Sequence, residues 1–354
     1  MTGAFWIISP VTANERVRYR VLGEVFVEGF GVSVGKKSER LVVKRKGETI
    51  FERPFFEVDR VTVATEGATI SSSAVHECVK NGIPIEFISY SGVPYASLVS
   101  PSLGGTVKTR RAQILAYEDL RGVLLGKAFA TGKIKSSANN LKYYAKYRKG
   151  ADRAAYEYLY ARIDRMEELA KQVGEIEGEC VDEARDALLN AEGRGAALYW
   201  EGVKKMVPDF LGREGRGATD LVNSLLNYGY GILYNRVLSA ATRAGLDPFA
   251  GYVHTDRPGK PSLVLDLVEE FRAPVVDRAV LGALGTGFKV GMDSERLDEK
   301  TRKLVAERVR ERLAARVTHR GRKHTLENVV HIQARSVASF VRDGVLYKPF
   351  VGSW

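Results

Sequence analysis

Between Gly251 and Arg272 the chain reads Gly-Tyr-Val-His-Thr-Asp-Arg-Pro-Gly-Lys-Pro-Ser-Leu-Val-Leu-Asp-Leu-Val-Glu-Glu-Phe-Arg, which sets one imidazole, His254, shortly before a run bearing carboxylates. Pro258, Gly259 and Pro261 turn the chain, and proline just ahead of a first turn suits a helix starting at Ser262. On a helix of ~3.6 residues per turn, Asp266 and Glu269 project from neighbouring positions of one face, while Val264, Leu267, Val268 and Phe271 form a core-seeking face. One imidazole and two carboxylates can share a divalent cation. The same pattern also describes a plain amphipathic helix beside a hydrogen-bonded structural histidine, and spacing alone does not choose between them.

A second candidate lies at Asn190-Ala-Glu192-Gly193-Arg-Gly195-Ala-Ala-Leu-Tyr199-Trp200. Two glycines in a helical segment each cost ~1 kcal/mol relative to Ala, which asks for a compensating reason. Gly193 and Gly195 would let a helix or a phosphate backbone approach beside Glu192, or would mark a helix end or kink. Cations gather in two further tracts. Lys142-Tyr-Tyr-Ala-Lys146-Tyr-Arg-Lys149 interleaves charges with rings, and Arg302, Lys303, Arg308, Arg310, Arg312, Arg316, Arg320, Arg322, Lys323 and His324 form a denser one. Each suits phosphate contacts, and each also suits a solvated helix face.

The elements that must position these groups are read from period and punctuation. Residues 1–96 are β-rich: Phe5–Ile8, Arg40–Lys44, Thr49–Phe51 and Val58–Val63 carry β-branched and aromatic residues between glycines. One helix interrupts them, with Ser71–Ser73 as cap candidates and Asn81-Gly82 as its end, before Pro84–Ile88 resumes as a strand. Prolines and glycines mark a linker over 97–107, and 108–354 is helical by its i, i+3, i+4 spacing. The expected fold class is α+β: a small β-sandwich-like domain with one helix, then a larger all-α domain.

The 354 residues suffice for two cores, and 45% hydrophobic with 27% charged residues describes an ordinary globular composition. The 54 Lys and Arg against 43 Asp and Glu give +11, which points to a polyanion, nucleic acid foremost. Cys78 and Cys180 form no CxxC pair, which argues against structural zinc and a disulfide framework. The N-terminus lacks a basic leader and no apolar run approaches the ~20 residues needed to cross a bilayer, so a cytoplasmic protein without membrane contact is expected.

Taken in order, Glu192–Trp200, Arg216–Tyr234, Ala244–Pro248, Gly251–His254, Ser262–Arg272 and Val276–Arg278 resemble the CRISPR-associated Cas1 integrase family, with Gly29–Gly35, Glu39–Val43, His331–Arg335 and Tyr347–Phe350 extending the likeness over nearly the whole chain. The resemblance implies a dimerising β-rich N-terminal domain, a helical catalytic domain, and a metal held by Glu192, His254 and Glu269 with Asp266 at or beside it. Glu269 stands where a typical pattern has Asp, which leaves open whether Glu269 or Asp266 touches the ion. Such a mostly oxygen donor set suits Mn²⁺ or Mg²⁺, the imidazole favouring Mn²⁺.

The reaction implied joins 3′-hydroxyl ends of incoming DNA to a repeat. Its partners would be double-stranded and branched DNA, a second copy of the chain, and the small protein Cas2. Arg216, Asn223 and Arg272 would flank the metal, and Lys142, Lys146, Arg320, Arg322 and Lys323 would hold DNA backbone. A structure-specific repair nuclease and a non-catalytic DNA-bridging scaffold are the competing readings.

Overall fold

The computed structural model describes the backbone of residues 6–8 and residues 23–353, apart from 90, 91, 93, 99, 101–105, 208, 216, 288 and 289. Part of the expected linker, and Arg216, lie outside the described residues. Two compact units divide the chain, Met1–Leu103 and Gly104–Trp354.

In the first unit, β1 (Trp6–Ile8), β2 (Glu24–Val27), β6 (Arg60–Val63), β8 (Ile85–Ile88) and β9 (Pro94–Leu98) form one sheet in that order. A second sheet runs β5 (Glu48–Pro54), β4 (Arg40–Arg45), β3 (Val32–Lys37), β7 (Ala68–Ile70). Val25, Val27, Val61, Val63 and Ile85 from the first sheet share one core with Val34, Leu41 and Val43 from the second, which makes the unit a sandwich. Helix α1 (Ser72–Lys80) contributes Ala74 and Cys78 to that core, and the Ser71 hydroxyl caps it by accepting from Ala74 N at 3.2 Å. Strand β9 opens on a proline. Pro94 is the first residue of an edge strand, where a missing N–H is tolerated.

The second unit holds the helices α2 (Thr106–Leu115), α3 (Leu120–Ala145), α4 (Arg153–Glu175), α5 (Val181–Met206), α6 (Leu221–Arg243), α7 (Ser262–Phe271), α8 (Arg278–Gly285), α9 (Glu299–Ala314) and α10 (Leu326–Asp343). Helix α5 runs unbroken through its glycines, so neither ends nor kinks it. A methyl at Gly195 would lie 2.8 Å from Ile134 Cγ1, so this glycine lets α3 and α5 pack closely; Gly193 faces open space. The π-helical turns Arg272–Asp277 join α7 to α8 through Pro274.

The helical unit is not purely α. Among the described residues, two short hairpins join it: β10 (Met292–Asp293) with β11 (Arg296–Leu297), and β12 (Arg316–His319) with β13 (Arg322–Thr325). The second half of the basic tract is therefore a ribbon, turned at Arg320 (φ 49°) and Gly321 (φ 76°). No helix of the described residues is long and apolar enough to cross a membrane.

Candidate metal centre

Helix α7 departs from the amphipathic pattern, since every residue in it except Leu265 is buried, carboxylates included. Buried carboxylates need partners, and the three in α7 find different ones.

Asp266 is turned back onto the preceding loop. One oxygen accepts from Tyr252 N (2.6 Å) and Val253 N (3.1 Å), the other from His254 N (2.9 Å), and the latter also lies 2.8 Å from His254 Nδ1. With four contacts made inside the protein, Asp266 locks the loop and the imidazole plane. The close approach depends on Gly251, whose added methyl would stand 2.6 Å from the Ser262 carbonyl carbon.

Glu269 faces the other way, toward Glu192 on α5. One ligand-type atom from each of Glu192, His254 and Glu269 lies within 4.8 Å of the others. That span is near the ~4.2 Å between opposite donors of one octahedral Mg²⁺. Lys133, from α3, sits between the carboxylates, its Nζ 2.6 Å from Glu192 Oε1 and 2.9 Å from Glu269 Oε2; Arg272 Nη1 is 3.1 Å from Glu269 Oε1. Glu269 Oε2 is buried and held by the Lys133 ammonium, which it shares with Glu192. Burial pushes Glu269 up, but Arg272, Lys133 and His254 outweigh it and hold the group below the usual carboxylate range. For His254 burial works against the charged form, yet the hydrogen bond it donates to Asp266 and the charges of Asp266, Glu269 and Glu192 leave its pKa above the ordinary value. The donor chemistry, one imidazole and two carboxylates, fits Mn²⁺ or Mg²⁺.

Glu270 points to the opposite side of α7. It accepts from Tyr347 Oη (2.6 Å), Gln333 Nε2 (2.9 Å) and Phe350 N (2.8 Å), so the C-terminal segment is strapped to the helix carrying Glu269. Burial pushes Glu270 up to about 7 despite these bonds.

The expected DNA contacts divide. Arg272 lies beside the centre, its guanidinium carbon 5.0 Å from the Tyr230 ring centroid. Arg320, Arg322 and Lys323 are exposed on the β12–β13 ribbon. Asn223 does not face solvent. It is 2% exposed, its amide donates to Gly212 O and Asp220 Oδ2, and its oxygen accepts from Arg213 Nη1 and Glu214 N, so it shapes the loop ahead of α6. Lys142 is paired with Glu167 of α4, whereas Lys146 lies over the Tyr143 and Tyr147 rings at 4.6 and 4.9 Å. Tyr199 is core: its hydroxyl donates to Asp277 Oδ2 at 2.8 Å and accepts from Asn140 Nδ2 at 2.9 Å.

Sequence reasoning missed Lys133, Arg213 and Asp277. Lys133 had a readable signal, since Ala130 and Ser137 on its helix face are buried, and a lysine on a core face needs an anion. Arg213 had none, because the loop geometry that brings it 5.3 Å from the Tyr230 centroid comes from Asn223 and Asn227.

The family model for CRISPR associated protein Cas1 matches residues 25–311. The CRISPR-associated endonuclease Cas1 1 of Archaeoglobus fulgidus is 34% identical over 343 residues, 93% of this chain and 99% of that protein. Among solved structures, a casposase bound to integration product superposes with a TM-score of 0.75 at 22% identity, covering 93% of both chains. A Cas6-RT-Cas1–Cas2 complex gives 0.70 at 18% identity, covering 91% of this chain and 35% of that longer one. At these identities the structural likeness shows the shared fold.

Proposed function

This chain belongs to the CRISPR associated protein Cas1 family, and from that premise we propose that it is a divalent-metal-dependent DNA endonuclease and integrase, which joins 3′-hydroxyl ends of incoming DNA to a repeat-bearing target. The convergence of Glu192, His254 and Glu269 from α5, a loop and α7 carries this reading.

Glu192, His254 through Nε2, and Glu269 would hold Mn²⁺ or Mg²⁺, while Asp266, spent on Nδ1 and the loop amides, orients the imidazole. When bound, the ion supplies Lewis acidity to the phosphoryl oxygens. Without it, Lys133 and Arg272 balance the two carboxylates. Released from the carboxylates, Lys133 and Arg272 would turn their charge to the phosphodiester under attack, where negative charge builds on the non-bridging oxygens. An oxygen nucleophile attacks phosphorus in line and gives up its proton, while the bond from phosphorus to the target strand's 3′ oxygen breaks and that oxygen leaves as a hydroxyl. A DNA 3′-hydroxyl gives joining and water gives cleavage.

The exposed cations of the β12–β13 ribbon hold DNA backbone, the N-terminal unit serves dimerisation, and a Cas2-type protein is the partner. The likeness to a casposase bound to integration product and to a Cas6-RT-Cas1–Cas2 complex favours joining and that partnership. The test incubates the protein and its partner with a short duplex bearing free 3′-hydroxyls, a repeat-bearing plasmid and Mn²⁺. Covalent insertion is expected, lost in Glu192→Ala and His254→Ala while DNA affinity persists. Cleavage of branched DNA without joining would favour a repair nuclease, and unaltered activity in both variants would reduce the protein to a scaffold.

A further inference from the structure

The last residues of a chain ordinarily fray unless something ties them down. Residues 344–353 form no helix or strand, yet Tyr347, Phe350 and Gly352 are buried. Gln333 Nε2 donates to Tyr347 Oη at 2.9 Å and to Lys348 O at 3.0 Å, and Gly352 N donates to Ser136 Oγ at 3.1 Å. A methyl added to Gly352 would stand 2.7 Å from Pro274 Cβ, so the segment lies tight against the π-helical turns. Glu270, fully buried, accepts from both Tyr347 Oη and Phe350 N. Burying a carboxylate to hold an irregular tail is costly, and asks what the tail does.

The far side of the segment supplies a reason. Phe350 lies between two rings: it stacks on Phe271 of α7 at 5.2 Å and 11°, and meets His319 of the β12–β13 ribbon edge-on at 5.8 Å and 69°. The ribbon has two faces. Strand alternation puts Val317 and His319 on one, where Val317 packs against the core; Arg316, Thr318 and, by register, Lys323 take the other and are exposed. At the ribbon turn, the Arg320 guanidinium is near enough for its charge to act on both Glu270 and Tyr347.

A two-stranded ribbon is marginal by itself, so its position is set by what lies under its inner face. Under this one lies Phe350. One ring therefore separates the ribbon from the helix that carries Glu269.

We propose that Phe350 and His319 are positioning residues: the C-terminal segment is a spacer that fixes the ribbon against α7, and so sets which phosphodiester of a bound DNA comes to the metal centre. This rests on the reading that the ribbon holds DNA backbone. A ring's thickness, about 3.5 Å, matches about one nucleotide at ~3.4 Å along a strand, so loss of the contact moves or blurs the register by about that much.

The test uses the full chain on end-labelled branched DNA, with Fe²⁺ supplied in place of Mn²⁺ and with ascorbate and peroxide. Radicals made at the ion cut the DNA where it passes the centre, whether or not the enzyme turns over. Wild type gives cutting centred on one nucleotide. His319→Ala and Phe350→Leu each displace or spread that centre by about one nucleotide, with Mn²⁺ affinity retained, and His319→Phe restores it. His319→Ala changes only a half-buried side chain of the ribbon, so it decides the matter should Phe350→Leu fail to fold. A lower melting temperature with an unmoved centre in His319→Ala means that the contact only stabilises, and overturns the inference. A displaced centre accompanied by lost Mn²⁺ affinity also overturns it, since the metal centre itself has then moved. Displaced cutting without strand joining by any of the proteins would spare this inference and sink the integrase reading. Joining by wild type and both variants at one undisplaced position would do the reverse.

Discussion

At the scale of single residues, Lys133 is the group on which the ion-free site depends. It separates two carboxylates that would otherwise face each other in a buried setting. Replacing it by Met leaves their charges uncompensated, and removal of one partner from a buried ion pair costs about 3–5 kcal/mol. Lys133→Met is expected to melt earlier than wild type in EDTA and to gain more from Mn²⁺, as read by thermal shift; equal responses would show that the lysine does not balance the metal ligands. His254 supplies a second expectation. Its pKa lies above the ordinary value, so the favourable imidazolium–carboxylate contact is present at low pH and is lost as pH rises through the folded pKa. A metal needs the neutral ring. Mn²⁺ uptake should therefore release a proton and weaken on acidification, beginning at a higher pH than an unperturbed histidine would give, which calorimetry in buffers of different ionisation enthalpy measures.

At the scale of elements, α7 is a junction whose three buried carboxylates do three jobs: Asp266 fixes the loop before it, Glu269 faces the centre, and Glu270 holds the C-terminal segment. That segment packs closely on α3: a methyl added to Gly132 would meet Glu270 Cγ and Pro349 Cβ, both at 3.0 Å. Phe350 stacks on Phe271, with centroids 5.2 Å apart, and Gly352 O accepts from Asn139 Nδ2 at 2.8 Å. Because Glu270 is raised to about 7, the fold favours its protonated form more than the unfolded chain does. Its contribution to stability is complete below the unfolded carboxylate range and declines as pH rises toward 7. Glu270→Gln should flatten that part of the pH–stability curve in urea unfolding, and a slope identical to wild type would assign it to other groups.

At the scale of the whole molecule, the chain is two compact units, and the entire candidate centre lies within Gly104–Trp354. That unit, expressed alone, is expected to fold and to bind Mn²⁺ with wild-type affinity; loss of binding would mean that the centre depends on the first unit. The +11 charge makes DNA affinity steeply salt-dependent, and each phosphate contact removed from the β12–β13 ribbon should lower the log–log slope by about one.

The order of β-rich and helical regions was legible because side-chain period is a local property of the chain, and so was the candidacy of His254, Asp266 and Glu269, which share one short stretch. Glu192 stood out beside two helical glycines, but only family likeness joined it to His254, 62 residues away. Which of Asp266 and Glu269 faces the space beside Glu192 was decided by the fold, since both fit one helical face until the loop amides of residues 252–254 claim Asp266. Lys133 and Glu270 acquire their meaning from partners on other elements. A sequence states which charges exist; only packing determines which are matched inside the protein and which are left for a metal or for DNA.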